Sequence, residues 1–510
     1  MSGSYDWLPK LKKAIPKFAF GDKIDMYVMA LEGWRRGLNL TFYTIGSKNL
    51  IRFKLSDKNN EHHFSVTRGD KVTKKATEIC IDKNLTKEYL SNSSVPVPEG
   101  RVFTQEATND EILNYANEIK YPVVIKPLDG RRGKGVISNI KNKEELLNAI
   151  KYLKVDLNIN KMIVEQYFKG EEYRLYVVNG EVAGVIKRTP ANITGNGKDT
   201  IQKLIEDKNA ERKKVPNLHA RLIKIDHEVL QHLDQEGYSL ESILENGKKL
   251  FLRQKGNLST GGDSIDFTEE ISETVKDIAI KASYAIPGLP QCGVDVLYNS
   301  KDNKAVVIEV NSRAGAGGHL FPLEGKARDI PKKIINYYFP NSKIINEDIN
   351  NLFFDYESYW NLLKSGKAQE IKVAPFPKGE IIMKKFNFIM ADKIALNKSQ
   401  FELIGKKASK FRVSGYLKLK SENEYQLVVA GPKEVVYELK DYVAEKLDKS
   451  SKITSEKASN FTGSLKLGFD IYRKPKKTVK IKSKNNSKTN SESKTNLKEN
   501  KQKVDKKAGI

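Results

Sequence analysis

The sequence predicts a multidomain protein of mixed α/β (α+β) class, and three observations predict it. From residue 121 to about residue 340, short apolar strand-like runs alternate with helical stretches. Within that region two apolar runs, GVDVLY (293–298) and AVVIEVN (305–311), each carry an interior carboxylate. A second tight α/β pattern follows from residue 379 to 473, and a Lys-, Asn- and Ser-rich stretch comes after it. At 510 residues the chain exceeds what one hydrophobic core organises.

The order along the chain gives five regions. Residues 1–120 mix strand-like runs (40–45 and 50–55) with helical segments and close on the turn-forming VPVPEG. Residues 121–340 hold nearly all the chemically suggestive side chains. Residues 341–376 read as an aromatic-rich linker, and residues 377–473 as a separate small domain opening on a strand near 381–389. Residues 474–510 have too few large apolar side chains to offset chain entropy and are expected to be disordered.

Charge and cysteine content bound the function. The net charge is +25, but residues 473–510 carry 14 Lys/Arg against 3 Asp/Glu and supply +11 of it. The folded part is thus only moderately basic, which weakens a nucleic-acid-binding reading. The tail remains a candidate for contact with polyanions such as RNA or an anionic membrane, through counterion release. Two cysteines, Cys80 and Cys292, form no CxxC pair, so a disulfide framework and a structural zinc site are excluded. No apolar run is long enough to span a membrane, and the Lys-rich start is no secretory signal. The protein is expected to be cytoplasmic, with its oligomeric state open.

Phosphate chemistry is suggested first by YPVVIKP (121–127), a buried-strand pattern that ends at Lys126. The loop LDGRRGKGV follows, and its Gly130, Gly133 and Gly135 let backbone N–H groups approach a polyanion. Arg131, Arg132 and Lys134 add positive charge. Neither a Walker A loop nor a dinucleotide fingerprint is matched. Glu165 and Glu172 lie seven positions apart in VEQYFKGEEYR, flanking a Gly turn; these carboxylates could accept from an adenine amino group and ribose hydroxyls.

A metal constellation follows. On a strand Glu309 and Asn311 share one face, and Asp295 joins them if the two apolar runs form a hairpin. Two carboxylates and an amide oxygen are hard donors suited to Mg²⁺, and charged residues inside apolar strands are costly without a partner. RQKGNLSTGG (253–262) offers Arg253, Lys255, Asn257, Ser259 and Thr260 beside a Gly-Gly nest that could hold a transferring phosphoryl group. NSRAGAGGH (311–319) places Arg313 in a Gly-rich loop and His319 at its end, where a lone histidine reads as structural.

These motifs together resemble the ATP-grasp superfamily, and within it the ATP-grasp module of cyanophycin synthetases and bifunctional glutathione synthetases. The resemblance covers roughly residues 70–340 and rests on YPVVIKPLDGRRGKGV, VEQYFKGEEYRLYVVNGEVAGVIKR, NLSTGG and IEVNSRAGAGGHLFPLEG. It implies ATP as cofactor with Mg²⁺, Mn²⁺ being an alternative. Nucleotide binding would fall to Lys83, Lys126, Gly133, Lys134, Gly135, Glu165, Gln166, Tyr167 and Glu172. Asp295, Glu309 and Asn311 would hold metal. Arg253, Lys255 and Arg313 would be catalytic, and Arg174, Asn257, Ser259 and Thr260 would bind substrate. The reaction implied is an ATP-dependent carboxylate–amine ligation through an acyl-phosphate, on an amino acid or peptide. The Mur-ligase-like half of the first family and the cysteine-ligase half of the second leave no trace here.

The 379–447 stretch resembles an acylphosphatase, a ferredoxin-type α/β sandwich of βαββαβ order. That family's catalytic arginine falls at Phe401 or Glu402 and its asparagine at Leu419, so a docking or substrate-presenting role is expected instead of hydrolysis. Two other function classes fit parts of the pattern: an ATP-binding regulatory pseudoenzyme, and an acylphosphatase with an accessory ATP-grasp domain.

Overall fold

A computed structural model describes residues 5–128, 135–344, 351–392 and 396–473. The Gly-rich stretch 129–134, with Gly133 and Lys134, and the basic stretch 474–510 lie outside the described residues. Helices and sheets both contribute heavily, as expected for a mixed α/β chain.

The amino-terminal runs become strands Asn39–Ile45 and Leu50–Ser56, paired antiparallel in a five-stranded sheet with Glu61–Ser65, Arg68–Gly69 and Glu370–Lys372. The last of these comes from the segment read as a linker. That segment connects the two units and also joins the amino-terminal core, because its aromatic residues Phe354, Tyr356 and Phe376 are buried there. Every residue of the helix Ile24–Arg35 is buried in the same core. Trp34 donates to the Ala374 carbonyl at 2.8 Å, tying helix and segment together.

Two sheets frame the centre of the chain. A four-stranded sheet orders Gly100–Thr104, Lys161–Gln166, Val123–Pro127 and Ile137–Ile140, so it straddles the boundary expected at residue 120. The helix Asn109–Glu118 that covers it starts on a capping box between Thr108 and Glu111. A five-stranded sheet orders Asp263–Asp266, Glu181–Thr189, Glu171–Val178, Gln291–Asn299 and Lys304–Asn311. Its inner strands Glu171–Val178 and Gln291–Asn299 are largely buried, their apolar residues being Tyr, Leu, Val and Cys. Between them in sequence, residues 191–252 form a small lobe with its own core around Ile201, Leu233 and Leu252.

The carboxy-terminal unit runs in the order βαββαβ, with strands Ile382–Met390, Ser414–Ser421, Glu424–Gly431 and Ile453–Asn460 and helices Lys398–Lys410 and Lys433–Asp448. A further strand, Phe469–Tyr472, pairs parallel to Ser414–Ser421. This unit docks on the amino-terminal core through Val428, Ala430 and Leu465. Among the described residues no helix is long and apolar enough to cross a membrane.

Candidate functional site

A small open cleft lies between the two central sheets. The strand Lys161–Gln166 sits beside Val123–Pro127 with Val124 opposite Glu165, which brings Lys126 and Glu165 to the cleft. Lys126 Nζ lies 2.6 Å from Glu165 Oε2, and Lys87 Nζ lies 3.2 Å from Oε1. Lys83 and Lys87 come from the helix Lys83–Asn92, whose first turn is capped by Asp82 accepting from the Asn84 and Leu85 N–H groups. A spacing of four puts both lysines on one helical face. Glu309 completes the polar lining, and Leu90 and Val97 give it apolar walls. Three ammonium groups against two carboxylates leave the cleft net positive, which suits a polyanion.

The charges here are mutually held. Burial works to raise the Glu165 carboxyl, but Lys126 and Lys87 outweigh it and keep its pKa below the ordinary carboxylate value. Burial pulls the Lys87 ammonium down, with Glu165 opposing. Glu165 was expected to read an adenine amino group; in the structure its carboxylate stands between two lysines.

A second cluster forms where the strand Gln291–Asn299 meets its two neighbours. Asp295 faces Arg174 on one side and Glu309 on the other, so the two apolar runs do form an antiparallel hairpin. A register shift follows Asp295 immediately, and such an irregularity re-aims the side chains beside it. Arg174 clasps the buried Asp295 carboxylate with Nε–Oδ1 and Nη2–Oδ2 contacts, both 2.6 Å. Arg188 Nη1 adds a contact at 3.1 Å and lies 2.7 Å from Glu172. Burial would raise the Asp295 carboxyl; Arg174 and Arg188 overcome it and lower the pKa. Burial raises the Glu172 carboxyl, Arg188 opposes, and Asp295 adds to the rise. Arg174, expected to bind substrate, is thus committed to Asp295.

The expected metal donors fit a hard divalent cation. Asp295 and Glu309 are directly paired, and Asn311 follows two residues on, opposite Gly293. Among the described residues no three His, Cys, Asp or Glu side chains gather, so a third protein donor beside Asp295 and Glu309 would have to be an amide such as that of Asn311. A Cβ at Gly293 would lie 2.5 Å from the Ala314 Cβ, so only glycine lets the loop after Asn311 fold back over this strand.

The remaining expected residues are dispersed. Arg253 is buried and pairs with Asp226 at 2.6 Å and with Glu228, pinning the start of the helix His227–Gln235. This arrangement engages the Arg253 guanidinium within its own lobe. Lys255 donates to the Val136 carbonyl, one residue past Gly135, and burial lowers its pKa. The Asn257 side chain accepts from Ser259, and Thr260 donates to the Asn257 carbonyl, so these three polar groups hold their own turn. Arg313 is exposed. The Gln166 N–H donates to the Glu99 carbonyl and the Tyr167 N–H to that of Pro122, fixing the backbone just past Glu165. Gly135 has φ +74°, a conformation that favours glycine. His319 is buried with neither ring nitrogen hydrogen-bonded; burial, helped by the charges of Arg174 and Arg188, pushes its pKa down to about 3.

Comparison with known proteins now adds to this geometry. The ATP-grasp domain family matches residues 80–317. Those residues are similar to an ATP-grasp domain. Over 292 residues the chain is 32% identical to a cyanophycin synthetase from Geminocystis herdmanii, covering 56% of this chain and 33% of that protein. Over 316 residues it is 33% identical to the glutathione biosynthesis bifunctional protein GshAB of Clostridium perfringens, covering 57% of this chain and 40% of that one. A crystal structure of a bifunctional glutathione synthetase from Pasteurella multocida aligns at a TM-score of 0.45 with 25% identity, covering 59% and 42% of the two chains. The chain spans about a third of the length of the curated relatives it matches.

Three residues that hold these clusters and the neighbouring loop were not anticipated from the sequence. Lys87 stood in view one helical turn after Lys83, and its spacing could have marked it. Arg188 follows Lys187 on a strand, and nothing in its local pattern announces a partner 107 positions away. Asp25 belongs to the buried amino-terminal helix and accepts from the Ala316 and Gly317 N–H groups at 2.9 and 2.8 Å, anchoring the loop that bears Arg313.

Proposed function

We propose that this chain is an ATP-dependent carboxylate–amine ligase that forms an amide bond through an acyl-phosphate, acting on an amino acid or short peptide in the cytoplasm. The observation that carries the reading is one cleft lined by Lys83, Lys87 and Lys126 together with Glu309, whose strand partner is Asp295. Phosphate-binding cations and hard oxygen donors meet there as nucleotide chemistry requires.

In this reading Lys83, Lys87 and Lys126 bind the nucleotide phosphates and offset charge that develops on the transferred group. Glu165 holds Lys126 and Lys87 in place, and Glu172 receives the ribose. Asp295, Glu309 and Asn311 would hold Mg²⁺, or Mn²⁺ in its place, which when bound neutralises phosphate charge. Lys255, bonded to the Val136 carbonyl, helps exclude water from the acyl-phosphate. Arg313, exposed on its anchored loop, meets the substrate carboxylate.

The carboxy-terminal unit is read as an acylphosphatase-like sandwich that docks or presents substrate. Its βαββαβ order supports the likeness. That family's arginine falls at the buried Phe401 or at the neighbouring Glu402, and its asparagine at the buried Leu419; none of these supplies the needed group, which argues against hydrolysis. Full-length protein is therefore expected to leave benzoyl phosphate intact. The basic stretch after residue 473 is read as a polyanion contact.

The test is ADP release measured with pools of amino acids and peptides. We expect release that depends on the amino acid and is lost in Glu309→Gln, an exposed position whose change should not disturb folding. Absence of release with every pool would refute the proposal.

A further inference from the structure

Two arginines share Asp295 on unequal terms. Arg174 stands directly opposite it across the strand pair and makes two contacts of 2.6 Å. Arg188 offers one nitrogen at 3.1 Å, and the same nitrogen lies 2.7 Å from Glu172. Its Nε is buried and has no hydrogen-bond partner. A bidentate guanidinium–carboxylate pair is stronger and more geometrically demanding than one long contact. Arg174 is therefore the fixed counter-ion of Asp295, and Arg188 is the exchangeable one.

A Cβ on Gly256 would sit 2.3 Å from the Arg188 carbonyl oxygen, so the loop from Lys255 to Gly262 lies against this strand. Glu172 and Asp295 carry like charges close together, and a cation is needed between them.

We infer that Arg188 is a further residue of the nucleotide site, acting as a counter-ion that changes partners. Before nucleotide enters, Arg188 bridges Glu172 and Asp295. As a divalent cation arrives with nucleotide, Arg188 yields Asp295 and presents its guanidinium, including the unpartnered Nε, to phosphate oxygens. A guanidinium suits this role because its planar fork matches both carboxylate and phosphate. The inference rests on the ligase reading of Glu172 and Asp295, and it adds a residue that the sequence motifs left unassigned.

Full-length wild type, Arg188→Met, Arg188→Lys and Arg174→Met would be titrated with Mn²⁺ alone by electron paramagnetic resonance. Calorimetry with AMP-PNP in the presence of Mn²⁺ would follow. Arg188→Met is expected to bind Mn²⁺ alone about tenfold more tightly, because a competing cation is gone. It should bind AMP-PNP about tenfold more weakly and unfold near the wild-type midpoint. Arg188→Lys should return Mn²⁺ affinity toward wild type while leaving AMP-PNP weak, since an ammonium lacks the fork; it carries the test if Arg188→Met does not fold. Arg174→Met should instead lose stability. Mn²⁺ affinity unchanged or weaker in Arg188→Met, or AMP-PNP affinity unchanged in both variants, overturns the inference. Failure of wild type to bind AMP-PNP with Mn²⁺ overturns the ligase reading itself.

Discussion

The two charged clusters of the candidate site, one built from lysines and one from arginines, solve opposite problems. Around Glu165 the cations are Lys87 and Lys126, each making one contact and each lining an open cleft. Around Asp295 the cations are Arg174 and Arg188, packed inside a sheet whose central carboxylate is 1% exposed. Lysine is a mobile point charge that can trade a carboxylate for a phosphate, whereas a guanidinium fork fixes geometry. The comparison teaches that the lysine cluster is made to exchange ligands, whereas in the arginine cluster the two contacts of Arg174 hold Asp295 in one orientation and only Arg188, with its single contact, is free to exchange.

Arg174→Met should break this contrast most severely. It leaves Asp295 buried with only the single Arg188 contact, and loss of one partner from a buried pair costs about 3–5 kcal/mol. Denaturant unfolding would measure it. A loss below about 1 kcal/mol, the scale of surface pairs, would show that the arginine cluster is no more rigid than the lysine one.

His319 sharpens the comparison through pH. Its folded pKa of about 3 lies below the ordinary histidine value of about 6.5, so the unfolded chain takes up a proton first. The stability it contributes is present above pH ~6.5 and is lost as pH falls toward 3, at up to about 1.4 kcal/mol per unit. The arginines beside it help keep it neutral. His319→Gln should remove this part of the slope; an unchanged slope would place the histidine in a more polar setting than the structure gives it.

Lys126→Met addresses the exchangeable side. It should weaken nucleotide binding by about 1–3 kcal/mol, the range for hydrogen bonds to charged groups, with a smaller effect on folding. The smallest effect belongs to Glu165→Gln. Its carboxyl is held below the ordinary value, so its contribution is present above pH ~4.3 and is lost as pH falls through its folded pKa. Acid unfolding of Glu165→Gln should lack that component.

Much of this was legible in the sequence because strand periodicity is local. The carboxylates at 295 and 309 stood out in apolar runs, and the hairpin pairs them directly. What escaped was cross-strand register. Arg174 meets Asp295 across 121 positions, and a reading of neighbours alone assigned it to substrate. Arg253 resembled a catalytic cation until Asp226 and Glu228 closed on it. The aromatic residues near 354 read as a linker, because sequence spacing does not reveal that they fill the core that also holds the helix Ile24–Arg35. Asp25 is the extreme case, since its hydrogen bonds span 291 and 292 positions.

The most direct test of the central claim is to trap the acyl-phosphate. Wild-type protein, ATP, Mg²⁺, an amino-acid and peptide pool and hydroxylamine would be incubated together, and hydroxamate measured beside ADP. The account predicts hydroxamate that requires ATP and disappears in Lys126→Met. ADP release without hydroxamate would contradict an acyl-phosphate route, as would hydroxamate formed equally well without ATP.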